Sequence, residues 1–358
     1  MEQEGPVDLA AVEASIDSYI RQGNKAIAVQ LLHGLAIRYA EAGAFLKADA
    51  TRARIYEVDP LALTEIITSG EAIESLKHNA ISRQHKEVWA HLYELLSREE
   101  GTAFYFSLKN QRIQAGQKLF SQGTKNDTLF FIDEGRLKLF FKRKDGSEEF
   151  LRGVREGEIA GEDTFFQPHL CSSTLLTDTP VNLHSLERQA LDSLADSFPM
   201  LAGKIQAFCE QLVARLAAGS QQKKGLERRE HQRIRLEVPI TIQLVGKTGQ
   251  PQGGIFPGHI SDISAGGIAM AIHALKRESS RLLLGRWLRV RFTLPDPEGG
   301  EDSVVSQNAL VTGLRFSKTY ALGGETYTIQ LSFQQLLAQP IMELANRVSV
   351  QQAKQKAS

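Results

Sequence analysis

The pattern of apolar and polar positions changes character along the chain. In about the first ninety residues Ala, Leu, Ile, Glu and Lys dominate, and Pro6 and Pro60 are the only prolines. Ile27, Leu31, Leu32, Leu35 and Tyr39 recur at spacings that mark one buried helix face, with Gly23 and Gly43 where helices would turn. From Phe104 to Leu186 the pattern becomes short apolar runs between turns. Leu129–Ile132 is followed by Asp133, Glu134 and Gly135, then by Leu137–Phe141, and Asp145–Gly146 offers a hairpin turn before Phe150 and Leu151. Such strands predict a roll or barrel. Ala190 to Leu216 returns to helix, with Leu201, Ile205, Phe208, Leu212 and Leu216 on one face. A polar stretch, Ala218 to Gly225, reads as a linker. Beyond it Ile234, Leu236, Val238, Ile240, Ile242 and Leu244 alternate with polar residues, as do Leu288–Leu294 and Tyr327–Phe333. Alternation of period two predicts an antiparallel sheet with one wet side. Leu337, Ile341, Leu344 and Val348 then have helical spacing.

The predicted fold class is multidomain α+β: N-terminal α-helical hairpins over 1–92, a middle β-roll with flanking helices over 93–218, and a C-terminal antiparallel β-barrel with a C-terminal helix over 226–350. The length of 358 residues has room for this. Lysine plus arginine equals aspartate plus glutamate, 42 each, so no global field draws the chain to nucleic acid or an anionic membrane. Two cysteines, Cys171 and Cys209, make neither a disulfide framework nor a zinc cluster, which suits a cytoplasmic protein. The acidic start is not a secretory signal, and no apolar run approaches the roughly 20 residues of a membrane span. P-loop and His-Glu-x-x-His patterns are absent, the nine histidines lack ligand spacing, and Glu99–Glu100 and Glu148–Glu149 read as solvated surface. No enzyme, cofactor or metal site is expected.

The strongest constellation lies at the start of the last region. Arg229 and Arg233 form a pair with three residues between, preceded by Arg228; Asp262, Ser264, Gly266 and Gly267 follow in the run Asp-Ile-Ser-Ala-Gly-Gly. Singly, the arginines read as a basic linker and the second run as a turn. Together, in this order and strand context, they resemble the PilZ family over about Leu226 to Val350. The resemblance implies binding of the bacterial second messenger cyclic di-GMP. Guanidinium groups grip phosphate oxygens in a fork and also face the O6 and N7 acceptors of guanine. Asp262 accepts from a guanine edge, Ser264 adds a contact, and Gly267 leaves room for close approach. Arg228 stands where the family sets how many ligand molecules stack.

The middle region resembles the cyclic nucleotide-binding family of the catabolite-activator type, on Gly116, Leu119, Phe120, Gly123, Asp127, Leu129–Ile132, Gly135, Leu137, Leu139 and the pair Gly161–Glu162. The family's cassette opens on that pair, but its arginine position falls on Ser172, followed by Ser173. A cyclic phosphate would lose its fork partner there, so the cassette is expected to be degenerate. A barrel stands where that family carries its helix-turn-helix, so DNA binding is not expected. Leu35, Ala36, Tyr39, Gly43, Ala48 and Pro60 are similar to a tetratricopeptide repeat of about 34 residues, with Arg52 at its aromatic position; an unspecialised helical bundle accounts for them equally. The function implied is a cyclic di-GMP receptor that relays binding to a protein partner. The alternatives are a ligand-independent adaptor and a cyclic AMP sensor. The face Leu201–Leu216 serves either a homodimer or packing within its own chain.

Overall fold

The computed structural model describes residues 9–143, 145–219, 231–246, 249–273, 282–317 and 326–357. The chain divides into two compact units, 1–109 with 189–205, and 110–188 with 206–358. Among the described residues no helix is long and apolar enough to cross a membrane.

The first unit holds helices α1 (Leu9–Arg21), α2 (Lys25–Glu41), α3 (Phe45–Val58), α4 (Leu63–Asn79), α5 (Arg83–Val88), α6 (Ala90–Leu95) and α7 (Arg98–Ser107). Gly23 and Gly43 end α1 and α2 at φ 76° and 74°. Behind them Asn24 and Ala44 donate back to the carbonyls of Tyr19 and Tyr39. This turn needs left-handed backbone, which glycine adopts without strain. The apolar face read from the sequence is buried only in part: Leu32, Leu35 and Tyr39 are inside, while Ile27 is 42% exposed. Ala28, Ala36 and Ala48 are fully buried, so α2 and α3 pack closely. Arg52 donates from Nε to the Ile66 carbonyl at 2.9 Å, and its guanidinium lies where a Cβ on Gly70 would be.

One carboxylate differs from its sequence reading. Glu99 is exposed as expected, but Glu100 is buried. It is the third residue of α7 and closes a capping box with Ser97, whose N–H donates to Glu100 Oε2 at 2.8 Å. Lys204 Nζ also reaches Glu100, at 2.6 Å. Lys204 lies on α10 (Leu201–Gly219), separated from α9 (Arg188–Ser193) by a break at Pro199 that divides the expected single helix. On the expected face of α10, Leu201, Ile205 and Phe208 are already buried within the chain, and Leu212 is half-buried.

The second unit begins with the roll. Its strands are β1 (Lys109–Ile113), β2 (Lys118–Phe120), β3 (Thr128–Glu134), β4 (Arg136–Lys142), β5 (Glu148–Arg155), β6 (Ile159–Ala160), β7 (Thr174–Thr177) and β8 (Val181–Glu187), with α8 (Glu162–Phe166) between β6 and β7. They form two four-stranded sheets, ordered β1-β8-β3-β6 and β2-β7-β4-β5, around Phe130, Ile132, Leu137, Val154, Leu175 and Leu183. The barrel follows: β9 (Ile234–Val245), β10 (Pro251–Ser264), β11 (Gly267–His273), β12 (Trp287–Leu294), β13 (Ser303–Ser317) and β14 (Thr326–Phe333) close in the order β10-β11-β14-β13-β12-β9. Leu236, Val238, Ile240, Ile242, Leu288, Val290, Phe292, Tyr327, Ile329 and Leu331 point into its core, as alternation predicts. Leu244 departs from the pattern at 38% exposed, towards the far end of β9. The C-terminal helix α11 (Gln339–Ala357) lays Leu344 and Val348 on the same core, with Pro340 in its first turn, where no N–H is needed.

The Glu100 carboxyl is held below its ordinary range chiefly by the Lys204 ammonium, against a smaller penalty from burial. A lowered folded pKa means the stabilisation is present above about pH 4.3 and lost as pH falls through the folded value. Denaturant melts from pH 6 to 3, followed by helical circular dichroism, are therefore expected to show an acid loss that Lys204→Met reduces.

Candidate functional site

Two of the expected ligand residues, Arg228 and Arg229, lie outside the described residues. The remaining ones gather at one end of β9, β10 and β11. Arg233 immediately precedes β9, and its Nη1 faces Asp262 Oδ1 at 3.4 Å. Both side chains retain exposure, 42% and 24%, so the pair is reachable from solvent. Asp262 is the register partner of Arg235 on β9 and of Ala269 on β11. Register shifts between Ile260 and Asp262 against both neighbours: facing β11 the extra residue is Ser261 on β10, whereas facing β9 it lies on β9, between Arg235 and Val238.

Ser264 and Gly267 close a two-residue turn made by Ala265 and Gly266. Ser264 Oγ donates to the Gly267 carbonyl at 3.2 Å, which fixes the turn. The turn is held from outside as well: Phe333 N–H donates to Gly266 O, and Leu337 N–H to Ala265 O, each at 2.9 Å. The glycines do different work. A Cβ on Gly267 would stand 2.2 Å from the Leu331 carbonyl oxygen, so its bare Cα is required by the approach of β14. The sequence reading named only ligand approach for Gly267; clearance for β14 is a second reason for a glycine there. A Cβ on Gly266 would meet His231 at 3.1 Å, on the arm that carries Arg233. Gly266 therefore keeps the arm and the turn close.

Beside this cluster is a cavity of about 550 Å³ lined by Arg235, Glu237, His259, Ser261, Ser349 and Gln352 among others. Its floor shows what the bulge does. Glu237 offers its backbone outward, and the Gln352 side-chain amide takes both groups: Glu237 N–H donates to Oε1 at 2.9 Å, and Nε2 donates to Glu237 O at 2.8 Å. Ser349 Oγ donates to Arg235 O at 2.5 Å. The helix α11 thus supplies side chains where the sheet has lost its partners.

Comparison with known protein families fits this geometry. Residues 227–316 match the model of the PilZ domain, and residues 110–198 match that of the cyclic nucleotide-binding domain. The chain carries both domains, in that order from the N-terminus: cyclic nucleotide-binding first, PilZ second. Together they support a cyclic-nucleotide sensor or effector, and both are regulatory domains. Among curated proteins the chain is 30% identical over 100 residues to the lysophospholipase NTE1 of Chaetomium globosum, covering 28% of this chain and 7% of that protein. It is 29% identical over 90 residues to the CRP-like cAMP-activated global transcriptional regulator of Mycobacterium tuberculosis H37Rv, covering 25% of this chain and 40% of that protein. The chain thus spans less than half the length of either. Among solved structures, a cyclic nucleotide-binding domain from Methylobacillus flagellatus matches at 21% identity and TM-score 0.35, over 37% of this chain and 79% of that one. The Thermus thermophilus catabolite activator protein matches at 21% and 0.32, over 36% and 60%.

In the cyclic nucleotide-binding domain, Gly161 has φ 89°, and a Cβ there would stand 2.5 Å from the Thr128 carbonyl. The opening glycine of the cassette is thus fixed by packing on β3. Glu162 begins α8 and is half-buried, as is Ser172, whereas Ser173 is buried. Cys171, between α8 and β7, donates its N–H to Thr124 O. Burial, with Asp163 nearby, pushes its thiol up to about 11, and burial likewise raises Cys209. Both thiols stay protonated at neutral pH. Two buried arrangements had no signal in the sequence: His184 Nδ1 lies 2.5 Å from Asp133 Oδ2 between β8 and β3, and the Arg188 guanidinium lies over the Phe165 ring at 4.8 Å. Each joins residues far apart in the chain.

Gly267→Ala is expected to destabilise the PilZ barrel by about 1–3 kcal/mol, since the clash is with backbone. Thermal melts that leave Gly267→Ala at the parental midpoint would contradict the close approach of β14.

Proposed function

We propose that this chain is a cyclic di-GMP receptor: its PilZ domain takes the ligand, and the other domains pass the bound state to a protein partner. The observation that carries the reading is the solvent-reachable pairing of Arg233 with Asp262 at 3.4 Å, beside the Ser264–Gly267 turn. Ligand can divide that pair. The guanidinium turns to phosphate oxygens or to guanine O6 and N7, and the carboxylate accepts from guanine N–H groups. Arg228 and Arg229 precede Arg233 in sequence and would add guanidinium groups for the ligand's phosphates and guanines. Ser264 and Gly266 contribute contacts at the turn.

The cyclic nucleotide-binding domain is read as a scaffold with a degenerate cassette. Ser172 stands where the family resemblance expects arginine, so a cyclic phosphate would lack a charge-assisted fork, a loss of roughly 1.5–3 kcal/mol per bond. The Mycobacterium relative is described as cAMP-activated; the same property here would have to come from other residues. The α2–α3 hairpin supplies a helical surface of the kind that takes up peptides or helices.

Titration calorimetry on the full chain tests this directly. Cyclic di-GMP is expected to bind and cyclic AMP to give no heat; the reverse result overturns the reading. Arg229→Ala is expected to weaken cyclic di-GMP about a hundredfold or more, because two charge-assisted bonds are lost at roughly 1.5–3 kcal/mol each and ~1.4 kcal/mol is tenfold. Its melting midpoint should stay near the parent's. Arg235→Ala, measured in the same salt, should cost less.

A further inference from the structure

The barrel has another bulge, on a strand away from Arg233. Register shifts between Val311 and Gly313 of β13 against β14, with Thr312 as the extra residue. Its carbonyl accepts the Leu170 N–H at 2.8 Å, and Leu314 N–H donates to Pro168 O at 2.8 Å. His169 is thereby bridged antiparallel to Gly313, like one residue of an added strand. The Leu170 side chain packs against the barrel core. Pro168, His169 and Leu170 belong to the other domain, in the cassette between α8 and β7. Gly313 suits the contact: a Cβ there would stand 3.2 Å from His169 Cβ and 3.0 Å from Gln330 Oε1.

One row of paired residues joins this junction to the ligand site. Asp262 pairs with Ala269, Ala269 with Gln330, Gln330 with Gly313, and Gly313 with His169. Four steps at strand spacing make about 20 Å. Both bulges lie on this row, and bulges are where a closed ladder can shift locally.

Building on the receptor reading above, we infer that Pro168–Leu170 is a latch by which the cyclic nucleotide-binding domain senses the state of the PilZ barrel. Ligand over Asp262 and the Ser264–Gly267 turn orders β10 and β11 at the first bulge. The row carries that order to Gly313, so the latch is held at lower entropic cost. The coupling is reciprocal: a closed latch tightens ligand, and ligand tightens the latch.

The test is hydrogen exchange at the Leu170 and Leu314 amides of the full chain, with and without saturating cyclic di-GMP, together with calorimetry on Leu170→Asp and Gly313→Val. These variants break the junction from opposite sides. Slower exchange of both amides with ligand is expected, with affinity reduced at least about fivefold in each variant. Unchanged exchange on saturation, or parental affinity in both variants, overturns the latch while leaving the receptor intact. A parent chain that binds no cyclic di-GMP overturns the receptor reading and the coupling with it. If a variant fails to fold, exchange in the parent decides alone.

Discussion

Closure of the six-stranded barrel is the constraint on which the candidate site of this protein depends. In a closed ladder each strand has partners on both sides, so backbone groups are spoken for and the sheet has no free edge. Polar chemistry then enters through side chains on the outer face and through the few places where the ladder is broken. Among those places are the bulges near Asp262 on β10 and at Thr312 on β13. At the first, Gln352 of α11 takes up the outward backbone of Glu237, and Asp262 emerges beside Arg233. At the second, the Thr312 carbonyl receives Leu170 from the neighbouring domain. The same device serves once to build a site and once to join two domains.

The inner face was legible because burial imposes a period of two. Leu236 to Ile242, Leu288 to Leu294 and Tyr327 to Leu331 all point where alternation places them. Leu244 failed because alternation reports a strand, not whether core lies beneath every residue of it. The helical N-terminus was legible for a similar reason, and Gly23 and Gly43 announced their turns through the left-handed backbone that the turns require. Glu100 was misread because adjacent carboxylates look like surface until Ser97 and Lys204 are brought to one of them.

At the candidate site the sequence carried residue types but not their division of labour. Arg233 and Asp262 are 29 positions apart in number and meet only through the pairing of β9 with β10. Gly267 was read only as room for ligand, and its second task, clearance for the Leu331 carbonyl of β14, needed the strand pairing to be seen. The contact of His169 with Gly313 had no local signal at all. It lies on β13 beyond Leu310, where pairing with β12 has ended, and where a strand loses its neighbour follows from how whole strands are seated.

On the receptor reading, Arg233 and Asp262 give one another up for a guanine nucleotide. The most direct measurement is the guanidinium Nε–H spectrum of the full chain, with Arg233 assigned by Arg233→Lys, during titration with cyclic di-GMP. A saturable shift of the Arg233 resonance that Asp262→Ala alters is the expected result. An Arg233 resonance that stays in place while signals of the cyclic nucleotide-binding domain move would contradict it.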